Sequence, residues 1–306
     1  GDSPFFSPDG RWVGYFARQA RQLRKVALAG GSPAVVAEDL SAGPVYGAWG
    51  PNDTIYFTNW PGQQISKVSA RGGVVSDVTH GAPPSGWFRY VEQILPDGRH
   101  ALAQVEGNGA YRLDIVSLET GEHRRLLEDA AGARLVGGRY LLFMPNGRPE
   151  IDAVRFDPDR LKVSGDPVTV LDSVATAPGW PLGYFGIAAN GTLAYVPLVR
   201  WLSPDNGLPE LALVGRDGKP ERQHLPAGNG PRFSPDGRRI LHMGPGRHGP
   251  NIFSFDLARG TDLRLTSHEG EGYEGWPIYS PDGRRVAYNR KWRRSEILVL
   301  NSSRAD

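Results

Sequence analysis

Apolar residues along this chain come in short runs, each directly after a tight-turn signature: Trp12–Phe16, Ile55–Thr58, His100–Gln104, Arg239–Met243 and Val286–Asn289. Runs of this length, bounded by proline and glycine, predict β-strands rather than helices. A variable polar loop follows each run. Then comes a stretch such as Asn251–Leu257, apolar at every second position, which predicts a strand with one buried face. A glycine turn (Ala29-Gly30-Gly31, Arg71-Gly72-Gly73, Glu119-Thr120-Gly121, Ala258-Arg259-Gly260) leads into a last short strand like Leu263–Thr266. One stretch dissents: Tyr15 to Ala29 lacks glycine and proline and is rich in helix formers. Propensity is a weak prior, and the repeat register assigns Leu23–Leu28 to a third strand instead.

That grammar repeats. Phe6-Ser7-Pro8-Asp9-Gly10-Arg11 returns as Phe233–Arg238 and again as Tyr279–Arg284. Weaker copies stand at Trp49–Asp53, Ile94–Arg99 and Ile187–Gly191. In each Pro-Asp-Gly, proline presets φ and glycine accepts φ > 0, as a tight turn requires. Copies lie about 45 residues apart, with one gap about twice as long, so a degenerate copy is expected near Gly137-Gly138, just before Arg139–Phe143.

Four antiparallel strands per repeat is the unit of a propeller blade. The predicted fold is all-β: a single-domain β-propeller of four-stranded antiparallel blades, seven in number, with six blades or an incomplete larger propeller as alternatives. The blades fall at about 4–39, 46–80, 88–128, 134–172, 184–226, 231–267 and 276–300 of 1–306. The seventh copy supplies Trp276–Ser280, Val286–Asn289 and Glu296–Leu300 and then the sequence ends, so that either one blade has three strands or a flanking segment is missing. It also begins at Gly1, without initiator methionine or signal peptide, as a processed or excised chain would.

Composition narrows the function. Glycine (40) and proline (26) are abundant, yet 39% hydrophobic and 10% aromatic residues leave ample material for a core. Net charge is +2, so nothing marks the chain as a nucleic-acid or membrane-surface binder, and no apolar run is long enough to span a membrane. Zero cysteines exclude disulfides, zinc thiolate sites and a thiol nucleophile.

The Ser-Pro-Asp-Gly-Arg repeats, with Leu-Thr or Val-Thr ends, resemble the TolB-type propeller repeat. The order of segments is similar to the extracytoplasmic propeller region of certain bacterial serine/threonine protein kinases. The matching pieces are Leu23–Gly31, Ile94–His100, Arg139–Phe143, Phe156–Leu161 with Gly165–Val168, and Asn190–Tyr195. The resemblance implies a periplasmic or extracytoplasmic sensor or scaffold. No kinase segment is present in the sequence.

In a blade the innermost strand precedes Pro-Asp-Gly, so inter-blade loops and those joining second to third strands lie on the opposite face. The predicted ligand site gathers Trp60, Trp87, Arg89, Trp180, Tyr184, Trp201, Arg247, Tyr273, Trp276 and Trp292 in or beside those loops. Indole faces and guanidinium forks there suit a small molecule (a sugar or carboxylate) or a peptide or protein. The same aromatics could instead wedge between blades as core.

Catalytic signatures are thin. The seven histidines lack His-Glu-x-x-His spacing, and no Gly-x-Ser-x-Gly elbow occurs. Gly270–Gly275 matches a dinucleotide pattern but precedes a strand, which makes it a loop. His80, His248 and His268 could share the loop-rich face as a distributed metal site; isolated solvated histidines are the plainer reading. The repeated acids Asp9, Asp97, Asp236 and Asp282 suit turn capping. No catalytic residue, metal or cofactor is therefore assigned. The expected function is non-enzymatic binding; the alternative is a lyase or hydrolase using residues such as His80, His268, Tyr273, Glu274 and Arg89.

Overall fold

The computed structural model describes residues 2–40, 46–59, 64–176, 184–188, 191–198, 210–215, 220–222, 225–246, 249–267, 273–291 and 295–303. The chain is all-β, a β-propeller of seven antiparallel sheets in chain order. Blade one is β1 (Asp2–Phe6), β2 (Trp12–Ala17), β3 (Gln22–Ala27) and β4 (Ala34–Ala37). Blade two is β5 (Gly47–Trp49), β6 (Thr54–Asn59), β7 (Gln64–Ser69) and β8 (Ser76–Asp77). Blade three is β9 (Trp87–Ile94), β10 (His100–Gly107), β11 (Ala110–Ser117) and β12 (His123–Leu127). Blade four, the degenerate copy, is β13 (Ala131–Val136), β14 (Tyr140–Met144), β15 (Ile151–Asp157) and β16 (Lys162–Leu171). Blade five is β17 (Phe185–Ile187), β18 (Leu193–Tyr195), β19 (Ala212–Val214) and β20 (Pro220–Arg222). Blade six is β21 (Asn229–Phe233), β22 (Arg239–Gly244), β23 (Asn251–Asp256) and β24 (Thr261–Arg264). Blade seven has three strands among the described residues: β25 (Tyr273–Tyr279), β26 (Arg285–Lys291) and β27 (Ser295–Asn301).

The helix-prone stretch resolves as the repeat register requires. Only Arg18–Ala20 makes a 3-10 turn, closed by Arg21 in left-handed conformation, and β3 follows at once. The degenerate copy turns at Gly137 and Gly138, both at positive φ, between β13 and β14.

The chain divides into two compact units, Gly1–Asn146 with Val154–Asp166, and Gly147–Ala153 with Pro167–Asp306. In the first, Phe5, Phe16, Leu23, Trp49, Ile55 and Phe57 pack together. Phe5 lies edge-on to Trp49 at 6.2 Å between ring centroids. Its ring fits because Gly14 and Gly47 lack side chains; a Cβ there would come within 2.5 and 2.7 Å of it. In the second, Ile240, Phe255, Leu213 and Val196 form one core cluster, and Ile252, Leu265, Val286 and Tyr288 form another. Each such buried side chain contributes roughly 1.5–3 kcal/mol.

The Ser-Pro-Asp-Gly-Arg turns are self-contained hydrogen-bond devices. Ser7, Ser234 and Ser280 donate from Oγ to Asp9, Asp236 and Asp282 at 2.6, 2.6 and 2.5 Å. Each serine Oγ in turn accepts a backbone N–H from the strand that follows: Trp12, Arg239 or Arg285. The aspartates also accept the N–H of Arg11, Arg238 and Arg284. These bonds, the serine's foremost, hold the three carboxyls below the usual carboxylate value. In blade three Leu95 replaces the serine, and His100 Nδ1 meets Asp97 Oδ2 at 2.6 Å instead.

Candidate functional site

An open cleft of about 720 Å³ lies against blade three, within the first unit. Its floor is the β10–β11 hairpin, where Val105 pairs with Arg112 and Gly107 with Ala110. Its wall is the loop before β9. Gly86 and Gly107 let that loop approach: a Cβ on either would strike backbone oxygen, at 2.5 Å from Glu106 and 2.0 Å from Ser85.

Strand periodicity places the polar groups. Arg112 and Asp114 are two apart on β11 and so share a face. Hairpin pairing with β12 sets Arg125 opposite Asp114 and His123 opposite Val116, on that same face. Asp114 is 1% exposed and takes Arg112 Nε at 2.9 Å on one oxygen. Its other oxygen lies 3.2 Å from His123 Nδ1. Arg112 also donates from Nη1 to the Pro84 carbonyl, at 3.0 Å. An acceptor carboxylate at Nδ1 places the imidazole proton there and leaves the lone pair on Nε2. Nε2 has no hydrogen-bond partner among the described residues. The ring of Phe88 stands edge-on to the imidazole, centroids 5.1 Å apart. Arg124 donates to the Leu161 carbonyl, and Arg125 pairs with Glu128.

On the opposite face of the hairpin Glu106 pairs with Tyr111 and with Trp87. Arg89 Nη1 lies 3.3 Å from Glu106, and its Nε donates to Tyr90 Oη at 3.1 Å. Burial works against the Arg89 charge, but Tyr90 and Glu106 more than offset it and raise its pKa. Burial pushes the Tyr111 phenol up, and the neighbouring Glu106 adds to that.

Of the ten residues the sequence picked for ligand binding, Trp60, Trp180, Trp201, Arg247 and Trp292 lie outside the described residues. The other five fall in both units. Trp87 and Arg89 sit at the start of β9, beside the loop that precedes it, and Arg89 is the extra residue of a bulge between Phe88 and Tyr90. Burial first, and then the nearby Tyr184, raises the Tyr273 pKa, while burial raises that of Tyr184. Tyr273 donates to Met243 Sδ at 3.6 Å. Trp276 is within β25 and 44% exposed.

Among the catalytic alternatives His80 is exposed, and His248 and His268 lie outside the described residues. Glu274 is buried and gripped by Arg290 through Nε at 2.9 Å and Nη2 at 2.7 Å. Among the described residues no group of three or more histidines and acids could hold a metal ion.

Sequence reasoning missed the Arg112–Asp114–His123 cluster. Its signal was there: an Arg-x-Asp pair on an alternating strand, a Glu-Thr-Gly turn, then histidine at the start of the returning strand.

The sheets and turns define a β-propeller, and solved structures carry the same fold at low identity. An oligogalacturonate lyase in complex with manganese aligns with a TM-score of 0.67 and 12% identity, over 94% of this chain and 84% of that one. A virginiamycin B lyase from Staphylococcus aureus aligns at 0.64 and 14%, over 98% and 94%. A Mycobacterium tuberculosis puromycin-hydrolyzing peptidase aligns at 0.68 and 15% over all of this chain, which spans 52% of that peptidase. All three bear the names of enzymes; at these identities the likeness shows the fold. No known protein family matches the chain. An uncharacterised protein of Agrobacterium fabrum is 40% identical over 57 residues, 19% of each chain.

Proposed function

We propose that this chain is a propeller enzyme of the lyase or hydrolase kind, in which the blade-three cleft takes a small anionic substrate and His123 acts as general base. One observation carries this reading. His123 Nδ1 is held by the buried Asp114, and Nε2, with no partner among the described residues, is left for the cleft. That is the base-and-orienter geometry that proton abstraction needs. The imidazole would accept a proton at Nε2 while Asp114 steadies the cation that forms. Arg112 and Arg125 border the same cleft and suit a carboxylate. The enzyme names among the structures of this fold support the choice over the purely binding role expected from the sequence.

Binding without turnover is the second reading, and the Arg112 fork favours it. Asp114 already receives Arg112 on both oxygens, which lessens the support it lends an imidazolium. The TolB-type and extracytoplasmic placement stays with this proposal, on the strength of the Ser-Pro-Asp-Gly-Arg turns.

The test is incubation with oligogalacturonate, puromycin and quinupristin, with products followed by chromatography and binding by calorimetry. Turnover of any of them, abolished in His123→Gln, supports the enzyme. Binding lost in Arg112→Gln with no turnover replaces it with the second reading. Neither binding nor turnover, or turnover untouched by His123→Gln, removes the cleft as the site.

A further inference from the structure

Four first strands break register over the same three-residue step: Asp2 to Phe5 in β1, Ala131 to Arg134 in β13, Asn229 to Arg232 in β21 and Gly275 to Ile278 in β25. In the last three the residue after the first of the pair is left-handed: φ is 63° at Gly132, 60° at Gly230 and 54° at Trp276. These three blades thus ask for a glycine conformation here, and two of them supply glycine. Blade seven supplies the bulkiest side chain there is. Every other described residue with a side chain and positive φ sits in a turn or loop; Trp276 alone does so inside a strand.

Such backbone strain in a bulky residue persists only where the surroundings impose it, and it gathers at functional positions. Core packing does not explain it, because the indole is 44% exposed. Beside it the acid Glu274 is neutralised by Arg290, and Gly275 pairs with the amide-bearing Asn289. Pro277 follows directly and fixes the chain beyond the ring.

We infer that Trp276 is a stacking platform for a neutral saccharide, a ring with one face of C–H groups and a rim of hydroxyls. An exposed indole offers a flat apolar face to the first and a polar edge to the second. This site centres on Trp276 of blade seven and shares no residue with the blade-three cleft.

The test is calorimetry and tryptophan fluorescence of the full chain with neutral trisaccharides of glucose, galactose, mannose and N-acetylglucosamine. At least one should bind and shift the indole emission. Trp276→Gly should weaken that binding by about tenfold or more, the scale of one lost stacking contact. Its thermal midpoint should stay within about 4 °C of the parent, because relief of the left-handed backbone offsets the lost half-burial. Trp276→Phe should retain most of the affinity, and His123→Gln all of it. Absence of binding across the panel would overturn the inference. So would binding unchanged in Trp276→Gly, or a midpoint fall of more than about 10 °C, which would make Trp276 a packing residue.

Discussion

Blades three and six each join a histidine to an aspartate, and the two pairs have opposite fates. In blade six His242 is fully buried, stacked on Phe253 at 5.4 Å between centroids, with Nε2 2.9 Å from Asp262. Its Nδ1 is sealed in without a hydrogen-bond partner among the described residues, hard against Gly228, where a Cβ would stand 2.3 Å away. In blade three the roles reverse: the aspartate is buried and the histidine side chain is 21% exposed at the edge of a cleft. The sealed imidazole serves as a core ring with one polar bond. The open one borders the cleft with Nδ1 held by Asp114, which under the proposal leaves the Nε2 lone pair for a ligand. Access, rather than the pair itself, separates a structural histidine from a candidate base.

The largest expected effect falls on the sealed pair. His242→Ala should cost about 2–4 kcal/mol in urea unfolding, since it opens a cavity beside Phe253 and removes the partner of Asp262. The same change at the open pair, His123→Ala, should cost about 1 kcal/mol or less. Equal losses at the two sites would erase the distinction.

Asp114→Ala comes next. It strips the acceptor from Arg112 and His123 together, so about 1–3 kcal/mol of stability should go, along with ligand binding. Asp114→Asn should recover most of the stability without the activity, because an amide cannot accept from both partners as a carboxylate does.

Smallest is the turn chemistry. Ser234→Ala should cost about 1 kcal/mol at neutral pH, because the buried serine serves both Asp236 and the Arg239 N–H. The folded Asp236 carboxyl lies below its ordinary value of 3.8, with Ser234 as the first cause. A depressed carboxyl contributes stability above its unfolded value and loses it as pH falls through the folded one. The gap between parent and variant should therefore be constant at neutral pH and narrow below about pH 4. A gap that widens on acidification would show that the serine does not hold the carboxylate.

The fold was legible because its information is local. Ser-Pro-Asp-Gly-Arg closes its own hydrogen bonds within six residues, so each copy announces a strand pair, and the even spacing recovered even the copy that had only Gly137-Gly138 left. The cleft was illegible because its parts meet through pairing. Arg112 and Asp114 face His123 only when β11 and β12 take one register, and that register shifts between Leu113 and Asp114. Repeat grammar set Trp87 in or beside a loop and Trp276 at the start of the last innermost strand; both lie in first strands beside bulges that no spacing rule reveals.

The most direct measurement is the NMR titration of the histidine ring resonances, with His123 and His242 assigned through their glutamine variants, on addition of oligogalacturonate. The account predicts that the His123 ring signals move saturably while those of His242 stay fixed. A fixed His123 signal in a sample that binds the ligand by calorimetry, or an equal shift at both rings, would contradict it.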